Sequence, residues 1–344
     1  MLRPLAQIYP PLAIAITLAP GLAAQDRRPV LRVVHAMGTS LRLSILGRDR
    51  QSALAASEAA IRRVAAVEAR LSTWTASSEL AQLNRQPVGR PRTVSVELTR
   101  DLRAALRWSR ATRGTFDPGV GALVDAWDLR GRGRVPASTE LARLCSAGGI
   151  LGLHLTAGRA TRTEATLRFE EGGFAKGRAL DAALATLRQL DVEAVLNFGG
   201  QVAHLGGQQV WLAIADPRMR NRTIGEIAIR TGSIATSGNS QRAITVEGKR
   251  YSHILDPRSG RPCRDFGSLT VLAPTATAAD CLSTGLYVQG PDRALAFAAH
   301  SPGVEVFVAE FRGTGIRLRA SSGLRGHIRA AGSRPITFPR SSLK

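Results

Sequence analysis

The chain is 344 residues long, 44% hydrophobic, with a formal net charge of +21. That length buries a large core as one large domain or two intimate ones, and the apolar fraction excludes an intrinsically disordered chain. Of 47 basic residues only Lys176, Lys249 and Lys344 are lysines; arginine is spread along the chain instead of gathering on a basic helix, and without zinc-finger spacing or an aromatic RNA-binding signature nucleic acid is excluded as the main partner. The charge favours acidic proteins, anionic membrane surfaces and phosphate-bearing ligands. Cys145, Cys263 and Cys281 are odd in number and lack metal spacing, which predicts buried small side chains, neither a disulfide framework nor a zinc site.

Residues 1–24 carry Arg3, an apolar run from Pro11 to Leu22 broken at Pro20 and Gly21, and then Ala23-Ala24-Gln25. This pattern predicts a secretory signal cleaved near Ala24, too short and interrupted for a membrane span. The expected location is the periplasm. No cysteine precedes Cys145, so a lipid-modified N-terminal cysteine is not expected.

Alternation from Leu31 to Leu46 predicts two strands bent at Gly38. Ile61, Val64 and Leu71 recur at helical spacing, giving an amphipathic helix over Gln51–Leu71. Ser77 or Ser78 suits the cap of a short helix starting at Glu79, and a second helix follows Ser95 through Leu98, Leu102, Ala105 and Leu106 to a stop at Gly114. Gly114-Thr115-Phe116-Asp117-Pro118-Gly119 reads as a tight loop with backbone donors able to approach a ligand. Gly131–Gly149 is a connection with a short helix around Thr139–Cys145. From Leu167 the pattern predicts a strand, a turn at Gly172-Gly173 and a helix bearing Leu180, Leu184 and Leu187, whose N-terminus would seat a diphosphate. Ala194–Val202 is expected to be a strand leading to a second Gly-Gly turn at Gly199-Gly200, and further strands are expected at Val210–Asp216, Ile224–Ile229, Ala243–Val246, Leu269–Ala273 and Val304–Ala309, with a helix around Asp292–His300. The residues from Ala320 are basic with Gly, Pro and Ser and are expected to be loosely ordered.

Two pieces between Gly232 and Gly290 look like chemistry. In Thr277–Gly285, Asp280 and Thr284 lie one helical turn apart and aim oxygens at one point, which suits a hard cation such as Mg²⁺ completed by substrate phosphates and water. In Arg250–Gly260, His253 ends an apolar run that stops at Asp256-Pro257. Each piece alone also reads as ordinary structure: a helix-capping acid, a core-facing threonine, a structural histidine.

Taken together the blocks resemble the ApbE family of FAD:protein FMN transferases. Gly232-Ser-Ile-Ala-Thr-Ser-Gly-Asn239, Gly248 to Pro262 and Val271 to Gly290 are similar in order and spacing to its C-terminal signature. Upstream, Met37-Gly38-Thr39, the element from Leu71 to Asn84 with Trp74 where tyrosine is more usual, Gly114 to Trp127, and Gly172-Gly173-Phe174-Ala175-Lys176-Gly177 also match, so the resemblance spans roughly Val33 to Glu310.

It implies an α+β fold, a large mixed or antiparallel sheet core with packed helices and no Rossmann unit, in a domain over 30–312 between the leader at 1–24 and a basic tail at 320–344. It further implies FAD in a cleft against Met37, Trp74, Thr115, Phe116, Asp117, Glu170, Lys176, His253 and Ile254. Mg²⁺ would be held by the Gly173 carbonyl, Asp280 and Thr284, and His253 would be the catalytic base. The implied reaction moves FMN from FAD to a Thr or Ser hydroxyl of an acceptor, a subunit of a membrane redox complex, and releases AMP; peripheral membrane contact fits the basic surface. Glu170 and Glu171 replace the usual Asp-Leu, and Gln201 stands where Asp is common. An FAD pyrophosphatase or a non-catalytic FAD-binding protein would use the same cleft.

Overall fold

Strands Val30–Ala36 and Thr39–Leu46 form a hairpin whose turn is Met37-Gly38, with φ of 45° and 70°. Positive φ at both central residues twists the turn with the strands, and it is the reason a glycine follows the methionine. The computed structural model describes residues 28–145, 149–239 and 243–339; the proposed leader lies outside them.

Eight helices are found there: α1 (Arg50–Leu71), α2 (Glu79–Arg85), α3 (Val96–Ala111), α4 (Gly121–Ala126), α5 (Ser138–Cys145), α6 (Ala175–Leu187), α7 (Ala276–Gln289) and α8 (Pro291–Ala299). Their starts are written in the sequence. Asp49 and Ser52 form a reciprocal capping box on α1, Ser78 caps α2 and Ser95 caps α3, each satisfying backbone donors that the first turn leaves free.

The hairpin opens a sheet of nine strands that continues through Glu193–Phe198, Gln201–Leu205, Gly232–Gly238, Gly267–Ala273, Glu305–Arg312, Gly315–Ala320 and Ile336–Thr337. All neighbours are antiparallel except the last pair. One face carries α1, α6, α7 and α8; Val64, Leu71, Leu180 and Leu184 are buried there with Leu43 and Leu196. A smaller sheet of Val210–Ala215, Thr223–Ile229 and Ile328–Ala330 covers the other face. Its Ile214, Ile224 and Ile227 bury against Val202, Phe307 and Leu318. The fold is therefore α+β, with a large, mostly antiparallel sheet between a helical layer and a second sheet.

Three expectations differ. Of the cysteines predicted to be buried only Cys281 is, with Cys145 and Cys263 half-buried. The segment from Leu167 is not a strand of any sheet: it makes one parallel bridge, Val120 with Arg168, because its backbone pairs with the Asp-Pro loop, Gly121 N–H donating to the Arg168 carbonyl at 2.7 Å and Glu170 N–H to that of Pro118 at 2.7 Å. The stretch 320–339 is not loosely ordered. Ile328 pairs with Ile227 and Ile336 with Leu318, and both pack with Phe338 on the second core; strands of two or three residues leave no period to read.

Candidate functional site

Helices α6 and α7 touch at a point with no room for a side chain. A Cβ on Gly177 would lie 2.5 Å from the Ala276 carbonyl oxygen. The close approach lets Gly177 N–H donate to Asp280 Oδ2 at 2.9 Å. Lys176 Nζ sits 3.8 Å from Asp280 Oδ1 and donates to the Gly172 carbonyl at 3.1 Å. Asp181, also on α6, accepts from Ala276 N–H at 2.7 Å and Thr277 N–H at 2.9 Å, so α7 is fixed at its first turn.

Asp280 is buried, and burial pushes its carboxyl above the ordinary range against the pull of Lys176 and the Gly177 N–H. Thr284, one turn on, donates to the Asp280 carbonyl at 3.3 Å. A Cβ built on Gly173 would lie 3.5 Å from Thr284 Oγ1 and 3.3 Å from the Phe116 ring. A buried carboxylate, a hydroxyl and a glycine backbone thus meet beside one ammonium. Among the described residues no group of three or more His, Cys, Asp or Glu could hold a metal ion, so an ion here would take one carboxylate, the Thr284 hydroxyl and the Gly173 carbonyl. That oxygen set fits a hard cation that keeps positions for phosphate and water.

The loop before α4 wedges against this corner. Phe116 is buried beneath Gly285, where a Cβ would meet it at 2.8 Å. The Thr115 hydroxyl donates to the Thr112 carbonyl at 2.8 Å and accepts from Gln289 Nε2 at 3.0 Å. The Asp117 carboxylate accepts from Gly119 N–H at 2.6 Å and Ile150 N–H at 3.0 Å; burial still pushes it up to about 6. All three side chains are engaged in holding the loop, so what they offer a ligand is the loop's shape and backbone.

Trp74 lies between α1 and α2 and is 69% exposed. The Arg130 guanidinium stands 4.4 Å over its ring and pairs with Glu170. Arg130 also donates to Thr73 Oγ1 at 2.5 Å and lies 3.9 Å from Glu171 Oε2, while Thr73 donates to Glu171. Burial, then the neighbouring Glu171, pushes Glu170 up to about 7, with Arg130 opposing. The unusual charge at Glu171 is therefore met by Thr73 and Arg130. Met37 holds its turn against α1, its N–H donating to Glu68 Oε1 at 2.7 Å.

His253 is half-buried next to Ser252. Ser252 Oγ lies 2.5 Å from Asn239 Oδ1 and accepts from Ile254 N–H at 2.9 Å; Asn239 Nδ2 donates to Tyr287 on α7 at 3.2 Å. Ser237 donates to Ser283 at 3.0 Å. The strand Gly232–Gly238 therefore ties the histidine segment to the helix of Asp280. Ile254 buries its side chain with Leu269, Ala278 and Leu282, and its carbonyl accepts from Cys263 N–H at 2.8 Å, so both its backbone groups serve the fold of this segment. The Gln201 amide donates to the Ala276 carbonyl at 2.8 Å, a bond an ionised aspartate could not make.

The resemblance set Gly173, Asp280 and Thr284 around a metal ion and Lys176 against the nucleotide; in the structure the Lys176 ammonium stands 3.8 Å from Asp280 Oδ1, and Gly173 lies beside Thr284. Sequence reasoning missed the role of Arg130 and of the buried Asp101, which accepts from Arg70 of α1 at 2.8 Å and Arg178 of α6 at 2.6 Å. The only local signal was position: Arg178 follows Lys176-Gly177, and Arg130 follows the block ending at Trp127.

The sequence model of the ApbE family matches residues 37–308. This chain belongs to the ApbE family. The FAD:protein FMN transferase of Haemophilus influenzae is 31% identical over 307 residues, 83% of this chain and 88% of that protein. The ApbE crystal structure from Thermotoga maritima has a TM-score of 0.76 at 27% identity, covering 89% of this chain and 97% of that one. The flavin transferase ApbE from Vibrio cholerae has a TM-score of 0.75 at 26% identity, covering 88% and 100%. In this ApbE protein Glu171 and Gln201 both have partners in the structure.

Proposed function

We propose that this chain transfers FMN from FAD to a Thr or Ser hydroxyl of an acceptor protein and releases AMP. The observation that supports this most directly is the corner of Gly173, Lys176, Asp280 and Thr284, where one buried carboxylate, a hydroxyl and an ammonium face the start of a glycine-opened helix. Such a corner suits a diphosphate. A Mg²⁺ ion held by Asp280, Thr284 and the Gly173 carbonyl would supply neutralisation of charge on the bridging oxygens.

Lys176 holds and orients the diphosphate, and the Thr115–Asp117 loop, Met37, Trp74, Glu170 and Ile254 line the space for the ring systems. His253 takes the proton of the acceptor hydroxyl as its oxygen attacks the FMN-side phosphorus. The new phosphorus–oxygen bond forms as the bond to the AMP oxygen breaks. AMP leaves with the electron pair.

The test incubates the protein with FAD, Mg²⁺ and a flavin-carrying subunit of a membrane redox complex, and looks for covalent flavin on a denaturing gel. Fluorescent acceptor supports the reading. Release of FMN and AMP without acceptor would make the protein an FAD pyrophosphatase, and bound, unchanged FAD in Mg²⁺ would make it a flavin-binding protein.

We further propose that it acts in the periplasm, its basic surface favouring brief contact with an anionic membrane. Among the described residues no helix is long and apolar enough to cross a membrane. N-terminal sequencing from a periplasmic fraction should give a start near Gln25; an intact Met1 in the cytoplasm overturns the export reading.

A further inference from the structure

The Trp74 indole is not part of any core cluster among the described residues. It sits on the loop between α1 and α2, and the only ring contact found for it among the described residues is the Arg130 guanidinium, 4.4 Å from its centroid. A tryptophan 69% exposed with one face under a guanidinium must leave the other face open. Arg130 is held in turn by three groups from two other segments: Glu170, Thr73 Oγ1 at 2.5 Å and Glu171 Oε2 at 3.9 Å. Its backbone is set by the turn that follows α4, where Asp128 takes a positive φ of 48° and Leu129 N–H donates to the Val124 carbonyl at 3.0 Å.

We propose that Arg130 is a positioning residue for dinucleotide binding: pinned by Glu170 and Thr73, it fixes the Trp74 ring so that its open face receives an aromatic ring of FAD. The proposal rests on the reading of this chain as an FAD-using enzyme. A guanidinium is suited to the task because it is planar, stacks on the indole and keeps N–H donors in the ring plane for Glu170 and Thr73. A lysine would keep the charge and lose the stack. Pre-setting the ring removes its rotamer freedom before ligand arrives, and the gain appears in affinity. Trp74, Glu170 and Glu171 all touch Arg130 or its partner Thr73.

The experiment measures FAD affinity by flavin fluorescence in the full-length protein with Mg²⁺. Arg130→Ala should weaken FAD binding about 5- to 30-fold, with the kinetic loss falling on KM for FAD more than on kcat, and Arg130→Lys should recover only part of it. The deciding arm is the same substitution made in Trp74→Ala, where removing Arg130 should change affinity less than about 2-fold. Equal losses in both backgrounds, or unchanged affinity in Arg130→Ala, overturn the proposal. If Arg130→Ala does not fold, Arg130→Lys, which keeps the pair with Glu170, is compared in the two backgrounds instead. A wild-type protein that fails to bind FAD would sink the proposed function; wild-type binding with no effect at Arg130 would sink this inference alone.

Discussion

Gly177 donates its backbone N–H to the buried carboxylate of Asp280 at 2.9 Å, across a crossing of α6 and α7 that leaves no room for a Cβ at Gly177. One contact thus sets both the distance between the two helices and the orientation of the acid. Fold and candidate site share a cause at this point.

Gly177→Ala should therefore be costly out of proportion to one methyl group. The added carbon meets backbone at 2.5 Å and 2.7 Å, so α6 must back away from α7, and overpacking of this kind costs about 1–3 kcal/mol. Urea unfolding should show that loss. Gly172→Ala, whose Cβ meets nothing nearer than 3.4 Å, should stay within about 0.5 kcal/mol. Equal stability of the two variants would contradict the crossing.

Asp280→Asn separates stability from function. Burial already pushes this carboxyl upward, so the neutral amide removes a desolvation cost while its oxygen still accepts from Gly177. Thermal melting of the ligand-free protein should be unchanged or raised. Flavin transfer should fall by about 100-fold or more, since a neutral amide would hold the proposed Mg²⁺ more weakly than the carboxylate does. A variant that unfolds early and transfers normally would reverse both statements.

The legibility of this molecule from sequence divides along physical lines. Helix starts at Asp49, Ser78 and Ser95 are local chemistry, and the sequence displays them. The Asp280–Thr284 spacing and the glycines before Lys176 are local as well. What the sequence hid depends on long-range contact: Asp181 reaching the first turn of α7, Arg130 reaching Trp74 and Glu170, and Ile336 completing the sheet edge. None of these carries a period or a neighbour pattern. The strand expected at Leu167 failed for the same reason, because its partner is a loop.

His253→Ala tests whether the half-buried imidazole is a base or a prop. Its segment is tied to α7 through Ser252, Asn239 and Tyr287, so the backbone should hold without the ring. As a base its loss should lower transfer by about 10²–10⁴-fold while FAD affinity persists. Lost FAD binding with a parallel loss of transfer would assign the histidine to positioning instead.

Asp117 supplies a pH dependence of stability with a definite sign. Its carboxyl ionises near 3.8 in the ordinary state and is pushed up to about 6 in the fold by burial, which outweighs the Gly119 and Ile150 donors. The folded protein thus holds this proton more tightly than the unfolded chain. The stability it contributes is full below pH 3.8 and is lost as pH climbs through 6, about 2–3 kcal/mol in all. Asp117→Asn keeps an oxygen for Gly119 N–H and Ile150 N–H, the two donors that Oδ1 accepts at 2.6 Å and 3.0 Å, without the ionisation. Relative to the wild type, the variant should gain stability between pH 4 and pH 7 and then run parallel above it, as read by urea unfolding at a series of pH values. A difference between the two proteins that stays constant over that range would show that the carboxyl ionises equally easily in the folded and unfolded chain.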